Sequence, residues 1–330
     1  FPDFLVNIFY LILSSLIPLI FFKFLKLKFS DCDDKYLFLL SLIFYFSPYF
    51  RSSAVWFTGD NLASLFFLIS IYYFLIFTLK KEYNFKNAFF CSLNLILASY
   101  TRQNYFFFAI IFFYYFFYYL SFYDLIKIIL SSFLISFPAI IYIFYFFTYR
   151  NYSTLYGTVD FNIIFNYLVI TSLYFFYFIP FIFYYFKNFK NLKLDYIKSS
   201  ITIFILILIY FLFLNFYTIP ILKFSGGIYY KISKFFDLRL FYFFSFLGFL
   251  LLIMTNKINL KNTLIIVILI ISFPFMYIYQ KYFDPLLYIV FFTLIDNNYK
   301  NILFTKKNPI TILLLAYNFL FLMMSIRYYL

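Results

Sequence analysis

Long apolar runs, separated by short breaks that carry nearly every charge, constrain this chain more than any other feature. The runs fall near 4–22, 36–50, 62–79, 88–100, 105–123, 128–149, 165–186, 199–222, 240–254, 263–279, 285–295 and 309–326. About twenty apolar residues of helix cross a bilayer core. A sequence that is 66% hydrophobic and 12% charged, with five Gly, lacks the polar surface and turn-rich loops of a soluble domain. The expected fold is therefore all-α, a polytopic transmembrane helical bundle of about twelve visible spans forming one integral membrane domain over 1–330. The fourth and eleventh runs are short for a crossing and are expected to tilt, break or extend into their flanks.

Alternate breaks differ in kind. Breaks 23–35, 80–86, 127, 187–198, 257–261 and 300–307 hold seventeen Lys, whereas the intervening ones hold Arg51, Arg102, Arg150, Lys223, Lys231, Lys234, Arg239, Lys281 and Arg327. The positive-inside rule places the first set in the cytoplasm, and the persistence of the alternation supports the twelve-span count. Insertion topology also accounts for the net charge of +14 better than nucleic-acid binding does, because the basic residues are scattered over interhelical loops. On this topology both termini lie outside the cytoplasm. Since the sequence opens Phe1-Pro2-Asp3, the chain is expected to be an N-terminally truncated fragment lacking at least one upstream helix; a processed signal peptide would leave the same outer terminus.

Composition narrows the chemistry. There is no His, so triads and metal sites built on imidazole are absent from this sequence, and acid–base work falls to Asp, Glu, Tyr or Lys. Cys32 lies in a polar break and Cys91 inside an apolar run, which suggests neither a disulfide framework nor a metal site. No cofactor is identified; a divalent metal is the open alternative that the visible sequence does not support. Aromatic residues make up 30% of the chain, and most are read as lipid-facing or packing side chains.

Topology explains the cytoplasmic Lys residues but not the outer charges, which call for partners or a ligand. In the break 51–61, Asp60 follows Gly59 and precedes Asn61; it is suited to capping the next helix, to pairing with an Arg or to holding a ligand hydroxyl. Thr101-Arg102-Gln103-Asn104 is a compact polar break in which a planar guanidinium suits a phosphate group at the bilayer surface. Between 223 and 239 a Gly226-Gly227 turn precedes Lys231, Lys234, Asp237 and Arg239, a cluster that fits an anionic ligand or a basic interfacial helix. Lys281 lies beside Asp284-Pro285, which reads as a helix cap followed by a first-turn proline. Asn151-Tyr152-Ser153 has the N-glycosylation pattern, which matters only in a eukaryotic source.

Taken in order, these four clusters resemble the multi-span glycosyltransferases of the GT-C class, most closely the dolichyl-phosphate-glucose alpha-1,2-glucosyltransferase family. Thr58-Gly59-Asp60-Asn61 is similar to that family's Thr-Asp block opening a helix, and Thr101-Arg102-Gln103-Asn104 to its Arg-Gln-Thr-Asn block. Asp237-Leu238-Arg239 resembles its Asp-Asn-Arg-His-Tyr segment, and Lys281-Tyr282-Phe283-Asp284-Pro285 its late Arg-Tyr-Phe segment before a proline. The chain departs from that pattern in lacking the Thr before Asn104 and the His of the third block, and in carrying Lys281 for Arg; these departures bear on glucose specificity.

The resemblance implies transfer of a hexose, glucose favoured, from a polyprenyl- or dolichyl-phosphate-linked donor to a glycan or lipid-linked acceptor on the non-cytoplasmic face. It implies that Arg102, Lys231, Lys234, Arg239 and Lys281 bind the donor phosphate, and that Asp60, Asn61, Gln103, Asn104 and Asp237 position sugar or acceptor. The catalytic carboxylate is implied to lie upstream of residue 1, with Asp3 and Asp60 as the candidates within the chain. Membrane lipids are the other expected partners and nucleic acid is not. The membrane is that of the endoplasmic reticulum in a eukaryote or the inner membrane in a bacterium. The rival expectation is a polytopic transporter or lipid-linked glycan flippase, which would place ionisable residues at mid-membrane on broken helices.

Overall fold

The computed structural model describes residues 3–56, 58–149, 162–188, 219, 226–273, 279–304 and 310–329. Among them the chain is helical with no strand, only an isolated bridge between Asn256 and Asn297. The helices are α1 (Asp3–Lys28), α2 (Asp34–Ser41), α3 (Pro48–Val55), α4 (Asp60–Leu79), α5 (Phe85–Thr101), α6 (Ala109–Tyr119), α7 (Phe122–Tyr149) and α8 (Ile163–Phe178). They continue with α9 (Pro180–Asn188), α10 (Gly227–Phe235), α11 (Arg239–Thr255), α12 (Leu260–Ile271), α13 (Leu286–Thr293), α14 (Tyr299–Leu303) and α15 (Ile310–Tyr329). Three helical stretches, Leu5–Lys28, Asp60–Leu79 and Phe122–Tyr142, are long and apolar enough to cross a membrane. With its exposed Phe117, Phe122, Leu134 and Phe144, the molecule is consistent with an all-α membrane protein.

Asparagine and serine in the breaks set where several helices begin. The side chains of Asn84, Asn162 and Asn259 each accept a hydrogen bond from the backbone N–H three residues on, satisfying one of the free donors at the starts of α5, α8 and α12. Ser47 does the same for Phe50, and Pro48, needing no N–H partner, occupies the first turn of α3. This Ser-Pro pair explains why the second apolar run is broken: α2 tightens into a 3-10 turn (Leu42–Phe46) and stops before α3. The eleventh run is likewise no long helix. It forms α13, about 12 Å long by helical rise and buried at every residue, so its apolar surface meets protein.

Breaks assigned to the Lys-rich side of the sequence meet one another. Lys300 pairs with Asp31 at 2.8 Å, Lys261 with Asp296 at 2.8 Å, and the Lys127 ammonium lies 5.6 Å from the Phe85 ring centroid. Lys28 corrects the expectation that these lysines serve topology alone, because its ammonium donates to the Thr293 and Ile295 carbonyls, at 2.8 and 2.5 Å, and closes the C-terminal end of α13.

Helices α8 and α11 pack closely. A Cβ added at Gly248 would stand 1.8 Å from the Thr171 carbonyl oxygen, and the Thr171 and Ser245 hydroxyls hydrogen-bond at 2.6 Å one turn away. Small residues allow this approach, and backbone rather than a movable side chain blocks any larger one. Gly248→Ala is expected to push the helices apart and cost about 1–3 kcal/mol, as overpacking of a tight core does. Thermal unfolding of the purified protein in detergent would show an unchanged midpoint if the contact were looser than described.

Candidate functional site

The site forms where α4 begins and α5 ends. Gly59 precedes the first residue of α4, so Asp60 stands at the rim of the helix rather than capping it through its side chain. The α5 helix ends at Thr101, and Arg102 turns into an extended conformation, its N–H still donating to the Ala98 carbonyl at 2.9 Å. These two ends place Arg102 Nε 2.6 Å from Asp60 Oδ1, with the side chains 34% and 19% exposed. The Nε–H is not aligned for a hydrogen bond, so the contact is an ion pair held by charge, with Arg102 still open to a second anion. Of the readings open for Asp60, pairing with an Arg is the one the structure displays.

The late break joins this pair through Tyr282, which lies in a 3-10 turn (Gln280–Tyr282). Burial raises the Tyr282 pKa and the neighbouring Arg102 guanidinium opposes that rise, with Tyr279 and Asp60 adding to it. Lys281 is exposed, and its ammonium lies 5.5 Å from the ring centroids of both Tyr279 and Tyr282. Such a position keeps the charge at the surface while the rings restrict it.

Two residues after Tyr282, Asp284 is 3% exposed, and neither carboxylate oxygen has a hydrogen-bond partner of normal geometry. Its reading as a helix cap is corrected: Pro285 occupies the position before α13 and no side chain caps that helix. Burial raises the Asp284 pKa to about 7, offset in part by the hydroxyls of Ser47 and Tyr177 beside it. Tyr177 in turn accepts from Gln280 Nε2 at 2.9 Å. Sequence reasoning did not select Asp284 as a site residue. An acidic residue before proline was its only signal, and a cap has the same one.

The other site residues are dispersed. Asn61 faces inward, donating to Ser14 Oγ at 2.9 Å and to the Phe50 carbonyl at 3.0 Å, so it ties α1 and α3 to α4. Gln103 is exposed and Asn104 partly buried, both in the 3-10 turn (Gln103–Phe108) beside Arg102. Lys231, Lys234, Asp237 and Arg239 are exposed around α10 and the start of α11, and Asp237 accepts from the Arg239 N–H at 2.8 Å. Among the described residues no ion pair or hydrogen bond joins Lys231 or Arg239 to the Asp60–Arg102 group. Asp3 opens α1, while its side chain, Arg150, the 151–153 pattern and Lys223 lie outside the described residues.

At the Lys-rich end a half-open cleft of about 270 Å³ lies between α6 and the start of α12, lined by Tyr114, Tyr115, Asn259, Lys261 and Asp296 among others. Burial works to raise the Asp296 pKa, but Lys261, with Lys28 and Asn259, lowers it below the usual carboxylate value.

The chain matches no protein-family profile, no curated protein and no solved structure.

The buried Asp284 carboxyl has a definite effect on stability. Its folded pKa exceeds the unfolded 3.8, so the folded state holds the extra proton and the wild type loses stability as pH rises from about 4 to about 7. Asp284→Asn removes that loss and is expected to be more stable than the wild type at pH 8, by up to about 4 kcal/mol, with the gap closing near pH 4. Equal midpoints at both pH values in thermal unfolding would contradict this.

Proposed function

We propose that the protein is a membrane glycosyltransferase that moves a hexose, glucose favoured, from a polyprenyl or dolichyl monophosphate carrier to a glycan or lipid-linked acceptor on the non-cytoplasmic face. The observation that carries this reading is the partly exposed Arg102, paired with Asp60 at the end of α5 and close enough to Tyr282 to act on its hydroxyl. Negative charge develops on the leaving phosphate as the glycosidic bond breaks, and a preset guanidinium and ammonium stabilise it there. Asp60 orients Arg102, and Gln103 and Asn104 offer hydrogen bonds to sugar or acceptor. Lys231, Lys234 and Arg239 present an exposed basic face suited to anionic headgroups. The twelve-span topology, the GT-C-like arrangement and an endoplasmic reticulum or bacterial inner membrane location belong to the same reading.

A second reading, a transporter or lipid-linked glycan flippase without catalysis, is favoured by one observation: Asp284 is an ionisable group buried at a break between short helices. Full-length protein in sealed proteoliposomes separates the two. Arg102→Ala is expected to lower transfer from lipid-linked hexose by about a hundredfold or more, the usual effect of removing one transition-state donor, while Arg102→Lys retains part of it. Unchanged transfer in Arg102→Ala overturns the first reading, and passage of the substrate without covalent change supports the second.

A further inference from the structure

The cleft at the Lys-rich end holds a pair of charges that the fold leaves partly unused. Asp296 is fixed through its backbone: its N–H donates to Asn262 Oδ1 at 2.9 Å, and its carbonyl accepts from Asn262 Nδ2 at 2.7 Å and from the Lys257 N–H at 3.0 Å. Its carboxylate accepts from Lys261 Nζ at 2.8 Å and from Asn259 Nδ2 at 3.2 Å, and the Lys261 and Asp296 side chains are 21% and 40% exposed. A carboxylate offers about four acceptor positions and an ammonium three N–H donors. Among the described residues these bonds occupy only part of each set, so an acceptor and a donor of opposite charge stand side by side in the cleft with capacity to spare.

Helix α6 contributes Tyr114 and Tyr115 to the same cleft. Among the described residues neither hydroxyl makes a hydrogen bond within the protein, and Asp296 is close enough to Tyr115 to act on it. Tyr114 is exposed, as are Phe117 and Tyr118 one turn further along its face of α6. A row of exposed Tyr and Phe leading toward a Lys-rich break suits the level of lipid headgroups. The lining further from the breaks is apolar: Ile111 lies one turn before Tyr115 on α6, and Leu264 one turn after Leu260 on α12.

The ligand that fits this lining carries both signs of charge beside an apolar part. A purely anionic group meets the Asp296 carboxylate and a purely cationic one meets Lys261. Lys28, the other cation that acts on Asp296, is committed to the Thr293 and Ile295 carbonyls. A zwitterion answers both charges. A volume of about 270 Å³ suits a small polar group attached to something that lies outside the cleft.

We propose that the cleft binds the phosphoethanolamine headgroup of a phospholipid on the Lys-rich side of the membrane. Its ammonium donates to Asp296, its phosphate accepts from Lys261 and from the Tyr114 and Tyr115 hydroxyls, and its acyl chains leave past Ile111 and Leu264. This site is independent of the hexose-transfer reading, which concerns Arg102.

The full chain in nanodiscs holding equal amounts of phosphatidylethanolamine, phosphatidylglycerol and phosphatidylcholine, released into native mass spectrometry, shows which lipid stays bound. The wild type is expected to retain phosphatidylethanolamine over either competitor by about tenfold, the effect of one charged hydrogen bond; phosphatidylcholine has no N–H to give Asp296, and phosphatidylglycerol has no cation. Lys261→Gln is expected to lower that retention about tenfold. Asp296→Asn removes the acceptor of the ammonium and frees Lys261, so the preference is expected to pass to phosphatidylglycerol, a reversal that a salt bridge serving only the fold would not produce. If that variant does not fold, Tyr114→Phe, at an exposed position, carries the test with an expected loss of about threefold. Equal retention of the three lipids by the wild type, a wild-type preference for phosphatidylglycerol, or an unchanged preference in Lys261→Gln and Tyr114→Phe overturns the proposal. Glycerophosphoethanolamine, the same headgroup without acyl chains, separates a lipid from a soluble ligand: at a concentration equal to that of the lipid it is expected to leave the bound lipid in place, and displacement would overturn the lipid as the occupant.

Discussion

The fold depends on one constraint: within an apolar interior a polar group must find its partner inside the protein. Isolated polar residues in the apolar runs show how this is met. The Tyr174 hydroxyl meets Thr255 at 2.5 Å and Tyr299 at 2.9 Å, and Asn256 donates to it at 3.2 Å, tying α8 to α11 and α14. Asn166 reaches the Ile270 and Phe273 carbonyls, both at 2.9 Å, and locks α8 to the end of α12. Each bond fixes the level at which two helices meet, which packing of so many similar Phe, Leu and Ile side chains leaves poorly determined. Asp284 is informative because it breaks a rule that its neighbours keep.

Much of the helix order was legible in the sequence because apolar run length and Asn or Ser at the breaks act locally. The grouping of breaks was legible too, since Lys300 does meet Asp31 and Lys261 does meet Asp296. The depth of each run was not. Lipid and protein interior are alike apolar, so a hydrophobic run says that water is excluded but not which of the two excludes it. The eleventh run, short for a crossing in the sequence, forms α13, which is enclosed by protein at every residue. For the same reason Asp284 reads as a cap: Ser47 and Tyr177, which lie beside it, are far away in sequence.

Helical geometry separates Asp60 from Asn61. Successive residues on a helix point about 100° apart, so when Asp60 turns to Arg102 its neighbour must face another quarter, here Ser14 and the Phe50 carbonyl. Adjacent polar residues at a helix start were read together as one site in the sequence, and only the orientation of α4 divides them into a group open to a ligand and a clamp between helices. The same division applies at Arg102, whose neighbour Tyr105 is buried against Ser64 while Gln103 remains exposed.

Asp284 bears on the choice between catalysis and transport through what lies beyond it. A group that carries protons across a membrane must exchange with both sides, and polar contacts would have to continue from Tyr177 toward the Lys-rich end. The Tyr174 hydroxyl, one turn earlier on α8, is already held by Thr255, Asn256 and Tyr299. Between them pack the rings of Phe178, Phe291 and Phe292, with Phe178 5.7 Å from both the Phe291 and Tyr288 centroids and Phe292 5.1 Å from Tyr299. Among the described residues, these fully buried aromatic faces offer a proton neither donor nor acceptor between Tyr177 and Tyr174. Among the described residues, that packing accords better with the one-sided site proposed above than with a path through the protein.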